Sequence, residues 1–284
     1  MFAKLTLEET RSVCKEKIEA LEYWLRRLID AKLSAKYGPA YFEAIATSGL
    51  PVFGQAVRKH AALRMAQEPG RYARKVDTLL LEEEIKVICK EYVEFKDAFA
   101  KVFDNANEAR SFLNKVREAR NPLYHANPIT LRQAEQAYCY SNDILDSLKH
   151  YYTTTGMTNL YDAPLIIKME DSLGNVRHRQ AGTESQDFNH GFAEDAASLL
   201  RVGDVLKVTV EIDPAYDPST YSVSWSYMPG FDGVKQGASV EVKFTDSLVS
   251  ASFVLMCSIT SNKAWHRKGD KDDFMLLAYR VLPT

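Results

Sequence analysis

Arg120-Asn121-Pro122-Leu123-Tyr124-His125 places a permanent cation and a titratable imidazole five positions apart. Cutting RNA without a metal requires those two groups. A base must take the proton of a ribose 2′-OH, and a cation must hold the charge of the phosphorane that forms. An unperturbed imidazole titrates near pH ~6.5, so acid and base forms coexist around neutrality. A guanidinium is planar and always charged, which suits bidentate contact with phosphate. Little else in the chain points to chemistry.

These residues stand where two helices are expected to meet. Arg120 ends a predicted helix, and Asn121 precedes a proline and so disfavours helical geometry. Pro122 suits the first position of a new turn. In an unbroken helix five residues rotate two side chains roughly 140° apart. A break at Pro122 is therefore what would bring Arg120 and His125 to one side of a connector. Spacing alone does not define a site, because Arg at a helix C-terminus also meets the helix dipole favourably.

The elements that position the motif follow from hydrophobic period. Thr6-Leu7-Glu8-Glu9 is a capping-box signature, and Val13, Ile18, Leu21, Leu25, Leu28, Ile29 and Leu33 then mark an amphipathic helix. Tyr37-Gly38-Pro39 stops it. A short helix is expected around Ala40–Ala46, another over Val52–Met65, and a longer one over Leu79–Phe103. A further helix covers Asn107–Ala119. The last opens at the capping box Thr130-Leu131-Arg132-Gln133 and runs to about Tyr152.

The period changes near residue 155. Beyond Pro164 short strands alternate with turns: Leu165–Met169, Val205–Ile212, Tyr221–Tyr227, Val240–Phe244, Ser252–Ile259 and Phe274–Leu282. Tyr221-Ser222-Val223-Ser224-Trp225-Ser226-Tyr227 alternates most strictly, with large residues on one face and serines on the other. Ala193–Leu200 reads as a short helix within a long connection. The expected fold class is α+β in two separate domains. Residues 1–155 form an all-α bundle, and 156–284 an all-β, immunoglobulin-like sandwich with Trp225 in its core.

Composition bounds the rest. The 284 residues suffice for two cores, and the net charge of −2 divides unevenly. Residues 1–155 carry 24 Lys and Arg against 21 Asp and Glu, and residues 156–284 carry 12 against 17. Neither half is basic enough to mark a nucleic-acid binder by charge. Cys14, Cys89, Cys139 and Cys257 lie far apart, without metal-ligand spacing. A zinc site or disulfide framework is not expected, and a reducing cytoplasm fits. No apolar run approaches the ~18 residues of a membrane span, and the N-terminus lacks a signal-peptide core.

The Arg-Asn…His pattern, before the last long helix of an all-helical domain, resembles the HEPN superfamily (higher eukaryotes and prokaryotes nucleotide-binding domains). Leu25-Arg26-Arg27-Leu28-Ile29 through Lys36-Tyr37-Gly38 is similar to the opening helix of one branch, and the likeness covers residues 6–152. It implies a metal-independent endoribonuclease with RNA as partner, acting as a homodimer with a composite active site and no cofactor. Products would be a 2′,3′-cyclic phosphate and a 5′-OH. By the same resemblance His125 is general base or acid, Arg120 the phosphate clamp, and Asn121 an orienting residue. A role in bacterial defence or as a toxin is implied too, with the sandwich sensing a ligand or a protein. Members that only dimerise or bind nucleotides provide the alternative. In one toxin–antitoxin branch a Tyr two residues after the His accepts AMP; Asn127 stands there here, which disfavours that role.

Weaker signals remain. Between Glu43 and Asp77 the only acid is Glu68, whereas Arg58, Lys59, Arg64, Arg71, Arg74 and Lys75 are basic. They read as a phosphate-backbone track or, more commonly, as a solvated helix face and a basic turn. Glu82-Glu83-Glu84 is better explained by a helix N-terminus than by a metal. Lys268-Gly269-Asp270-Lys271-Asp272-Asp273 reads as an exposed hairpin turn rather than a calcium loop. Phosphate-binding glycine loops and nucleophile elbows are missing from the sequence.

Overall fold

The structure is a computed structural model describing residues 2–68, 72, 74–125, 127–157, 162–179, 188, 190–191, 199–229 and 235–284. The described residues up to Met157 form one compact unit, and those from Asp162 onward a second. The layout is α+β, with helices in the first unit and sheets in the second. Among the described residues no helix is long and apolar enough to cross a membrane.

The first unit is built on α1 (Leu7–Tyr37). Thr6 and Glu9 close the capping box at its start: Glu9 N–H donates to Thr6 Oγ1 at 3.2 Å, and Thr6 N–H to Glu9 Oε2 at 2.8 Å. Gly38, at φ 77°, lets the chain turn off the helix end where a side chain would be strained. The helices α2 (Gln55–Gln67), α3 (Leu81–Lys90), α4 (Tyr92–Phe95), α5 (Ala106–Tyr124) and α6 (Leu131–Thr154) follow. The apolar stripe of α1, Ile18, Leu21, Leu25, Leu28 and Ile29, is fully buried. It packs against α3, α5 and α6.

Two expectations are corrected here. The single helix over Leu79–Phe103 is interrupted at Glu91 and gives way to a 3-10 turn over Lys96–Phe99. Tertiary donors take carbonyls along this stretch: Ser147 Oγ donates to Ala98 O at 2.8 Å and Tyr92 Oη to Phe103 O at 3.1 Å. The kinked path also buries Phe95, Phe99 and Phe103 together. The helix expected at Ala40–Ala46 is one 3-10 turn, Tyr41–Glu43.

The second unit contains β1 (Ile166–Asp171), β2 (Val176–His178), β3 (His190–Gly191), β4 (Leu199–Arg201), β5 (Val205–Ile212), β6 (Tyr221–Met228), β7 (Lys235–Gln236), β8 (Ser239–Lys243), β9 (Ser250–Ser261) and β10 (Asp273–Leu282). One sheet has the antiparallel order β2-β1-β5-β8. The other runs β3-β10-β9-β6-β7, with β4 also beside β10; β3 and β4 are parallel to β10, and the remaining pairs are antiparallel. The inner faces share one core, in which Leu206, Val208 and Val242 of the first sheet meet Trp225, Leu255 and Leu277 of the second. Trp225 Nε1 satisfies its polar end on Gly237 O at 2.8 Å. The helix expected over Ala193–Leu200 is corrected at its end, where Leu199 and Leu200 lie in β4; residues 193–198 fall outside the described residues. A short apolar run does not distinguish helix from edge strand, and pairing with β10 decides it.

Candidate active site at the end of the fifth helix

The break expected at Pro122 does not occur. α5 runs through the proline to Tyr124, with His125 as its C-cap. A proline inside a helix forfeits one backbone hydrogen bond; here Pro122 lacks the N–H that would have met Glu118 O, a single bond one turn from the helix end. The end is closed by other means. His125 N–H donates to Asn121 O at 3.2 Å, and Asn127 N–H to Pro122 O at 2.8 Å. Arg11 of α1 reaches across with Nη2 on Leu123 O at 2.9 Å and Nη1 on Asn127 O at 2.6 Å. With the helix continuous, Arg120 and His125 stay roughly 140° apart around its axis.

Arg120 faces α1. Its Nε pairs with Glu22 Oε1, its side chain is only 17% exposed, and its guanidinium stacks on the Tyr124 ring at 4.3 Å. Tyr124 in turn donates its hydroxyl to Glu19 Oε1 at 2.8 Å. Burial, with Glu22 and Glu19 nearby, pushes the Tyr124 phenol well above its ordinary range, so it remains a neutral donor. Behind this layer Glu22 Oε2 accepts from Arg26 Nη2 at 2.9 Å, and Arg26 Nε donates to Glu84 Oε1 at 2.9 Å and Leu79 O at 3.1 Å. Glu84 is completely buried, and its second oxygen has no hydrogen-bond partner. Burial raises its carboxyl well above the usual carboxylate range, against the pull of Arg26.

Asn121 and His125 lie on the other side. Separated by four residues, they share a face of the last turn, and both are exposed. Around this end of the unit Leu7, Tyr124 and Leu131 are exposed as well, at the ends of α1, α5 and α6. The arrangement presents a solvent-open imidazole and amide, flanked by apolar groups, and an arginine held against α1. In a single chain the imidazole and guanidinium are not aimed at one phosphate.

The basic segment is distributed differently from a continuous track. Arg58 and Lys75 both pair with Glu43. Arg64 binds Glu83 Oε2 at 2.7 Å and Thr78 O at 2.9 Å. Arg74 bridges Asp30 at 2.7 Å and Asp77 at 3.0 Å. Lys59 is exposed, and Arg71 lies outside the described residues. Four of the six candidates are therefore committed to carboxylates of their own unit. The acidic run is likewise structural: Glu83 accepts from the Leu80 N–H at 3.0 Å at the start of α3, and Glu84 holds Arg26. No cluster of metal-ligating side chains occurs among the described residues. In the sandwich, Lys268 and Lys271 do bridge across a turn, but Asp272 and Asp273 are buried rather than exposed.

Glu22, Tyr124 and Arg11 went unread in the sequence. For Glu22 a signal existed. It occupies the same helical stripe as Ile18, Leu25 and Ile29, and a carboxylate on an apolar stripe must find a cation. No family model matches the sequence, and no curated protein matches it.

Proposed function

We propose that the helical unit cleaves RNA without a metal ion, as a dimer of the HEPN type. The observation that carries the reading is the last turn of α5, where His125 and Asn121 stand open to solvent on one side while Arg120, oriented by Glu22 and Tyr124, faces α1 on the other. In the reaction, one His125 takes the 2′-OH proton and the 2′-oxygen bonds to phosphorus. The 5′-oxygen then leaves with a proton from the second His125, giving a 2′,3′-cyclic phosphate and a 5′-OH. Arg120 bears the phosphorane charge. Because one chain turns its guanidinium and imidazole apart, the site requires groups from two protomers. The exposed Leu7, Tyr124 and Leu131 supply the apolar contact surface for that pairing.

The second unit is proposed as an immunoglobulin-like regulatory domain. Supporting this are the adjacency of β5 and β8 in one sheet, of β6, β9 and β10 in the other, and Trp225 on β6. Cys257 lies opposite Trp225 in register as a free, buried thiol, consistent with a version that lacks the inter-sheet disulfide and works in a reducing cytoplasm. A defence or toxin role is proposed on the same resemblance.

A second reading has its own observation. Arg120 is already engaged by Glu22 and Tyr124, as a purely structural arginine would be, and the helical unit would then be a binding or dimerisation module. Full-length protein incubated with total RNA in EDTA separates the two. Cleavage with cyclic-phosphate ends, lost in His125→Ala, supports the nuclease. A folded dimer that leaves RNA intact supports the module.

A further inference from the structure

We infer that the outer face of the β10-β9-β6 sheet is a binding site for a free amphiphile with an anionic head, of the aliphatic-carboxylate class. The serine face of β6 is where the argument starts. Val223 and Trp225 point into the core, so Ser222, Ser224 and Ser226 point outward. An outward serine face ordinarily meets bulk water. Here Ser224 and Ser226 are half-buried and line a cavity of about 470 Å³. That volume falls within the range of roughly 300–1,000 Å³ found for small-molecule sites.

The cavity has two chemically distinct ends. Register sets Ser224 opposite Ser258, and Ser226 opposite Met256. Ser258 and Thr260 are near the end of β9, next to the hairpin that carries Asp270 and Lys271, and all four residues line the cavity. Toward the start of β9, Val254 faces Met228, and Leu276 stands beside Met256. One end is thus hydroxylic and charged, the other aliphatic. The hydroxyls of Ser224, Ser226 and Ser258 make no side-chain hydrogen bond among the described residues, so they are available to a ligand. Neither Lys271 nor Asp270 forms an ion pair among those residues. Lys271 is half-buried whereas Asp270 is exposed. The ammonium therefore acts in the lower dielectric and sets the sign of the head group. An aliphatic tail against Val254, Met256 and Leu276, with a carboxylate between Lys271 and the Ser224–Ser258 pair, satisfies both ends. The inference is independent of RNA cleavage.

Titration calorimetry of the full chain with decanoate, and with the uncharged alcohol of equal length, provides the test. Saturable one-to-one binding of decanoate is expected, with Lys271→Gln weakening it about tenfold and leaving the alcohol unchanged. Met256→Arg should abolish both, and Ser226→Trp, which fills the cavity from the opposite strand, should do the same should the first variant fail to fold. Absence of saturable binding to the folded chain overturns the proposal. So does binding that survives both cavity variants, or equal affinity for acid and alcohol. Without decanoate binding, dissociation of a dimer by Met256→Arg would make the face an interface between copies, and flotation with anionic vesicles would make it a membrane contact; either overturns the free-ligand assignment.

Discussion

The two units bury charge in opposite ways. In the sandwich, Arg179 and Asp273 pair at 2.6 Å with both side chains essentially inaccessible. Arg179 Nε also donates to Ile166 O at 2.7 Å, and the Ile166 N–H donates to Asp273 Oδ2 at 3.0 Å. The pair fastens the start of β1 to the start of β10. In the helical unit, the chain Glu84–Arg26–Glu22–Arg120 begins with a carboxyl group of zero exposure and ends on a guanidinium that reaches the surface beside Tyr124. A sealed pair can serve only the fold, since no ligand can reach it. An ion-pair chain with one open end can orient a surface group for chemistry, and its buried end determines how firmly.

That contrast can be broken by measurement. Asp273→Ala removes the buried carboxylate that accepts from both Arg179 Nη2 and the Ile166 N–H, and should cost ~3–5 kcal/mol in denaturant unfolding of the sandwich. RNA cleavage per folded molecule should be unchanged; a loss of cleavage would mean that the pair is not purely structural. Glu22→Ala removes the carboxylate shared by Arg26 Nη2 and Arg120 Nε, and should cost about 2–3 kcal/mol in unfolding of the helical unit. Unlike the sandwich variant, it should also lower cleavage. Retained cleavage would show that Arg120 does not need Glu22.

A subtler effect follows from Glu84. Its folded-state carboxyl titrates above the ordinary value of 4.5 because burial opposes its charge. A group raised on folding stabilises the fold at pH below its unfolded value, and that contribution is lost as pH rises through the folded value. The contribution of Glu84 to helical-unit stability should therefore fall as pH rises above about 4.5, opposite in sign to those of Glu9 and Glu43, whose carboxyls are held low, and Glu84→Gln should remove it in parallel melts. A stability difference between wild type and Glu84→Gln that does not change with pH over this window would contradict the buried carboxyl described here. The smallest stability change belongs to His125→Ala, within about 0.5 kcal/mol, since the side chain is exposed. Its effect on cleavage should be about 10²–10⁴-fold. A large stability loss instead would place His125 in the structural class with Asp273.

Much of the local architecture was legible in the chain. Thr6 and Thr130 announced the starts of α1 and α6, because a capping box needs only residues three positions apart. Val205–Ile212 and the Tyr221–Tyr227 alternation marked strands for the same local reason, and Trp225 was readable as core. The short edge strands β2, β3, β4 and β7 were not, since two or three residues carry no period and exist by pairing with a neighbour.

The motif itself divides along this line. Residue type and spacing picked out Arg120, Asn121 and His125. They also suggested that Pro122 would break the helix, which local preference favours. The helix instead continues through Pro122, and Arg11, 112 residues from Leu123, satisfies a carbonyl left open where the helix ends. Likewise the cations of the 58–75 segment were visible as charges, but their partners Glu43, Glu83 and Asp30 come from other elements. Sequence by itself determined where the capped helices α1 and α6 and the longer alternating strands lie, and which positions carry cations, carboxylates and imidazoles, because capping, period and side-chain type are local. Only the tertiary structure decided which of those charges are neutralised, which face Arg120 takes and which serines line a cavity. Those outcomes depend on groups that are distant in the chain and meet only on folding.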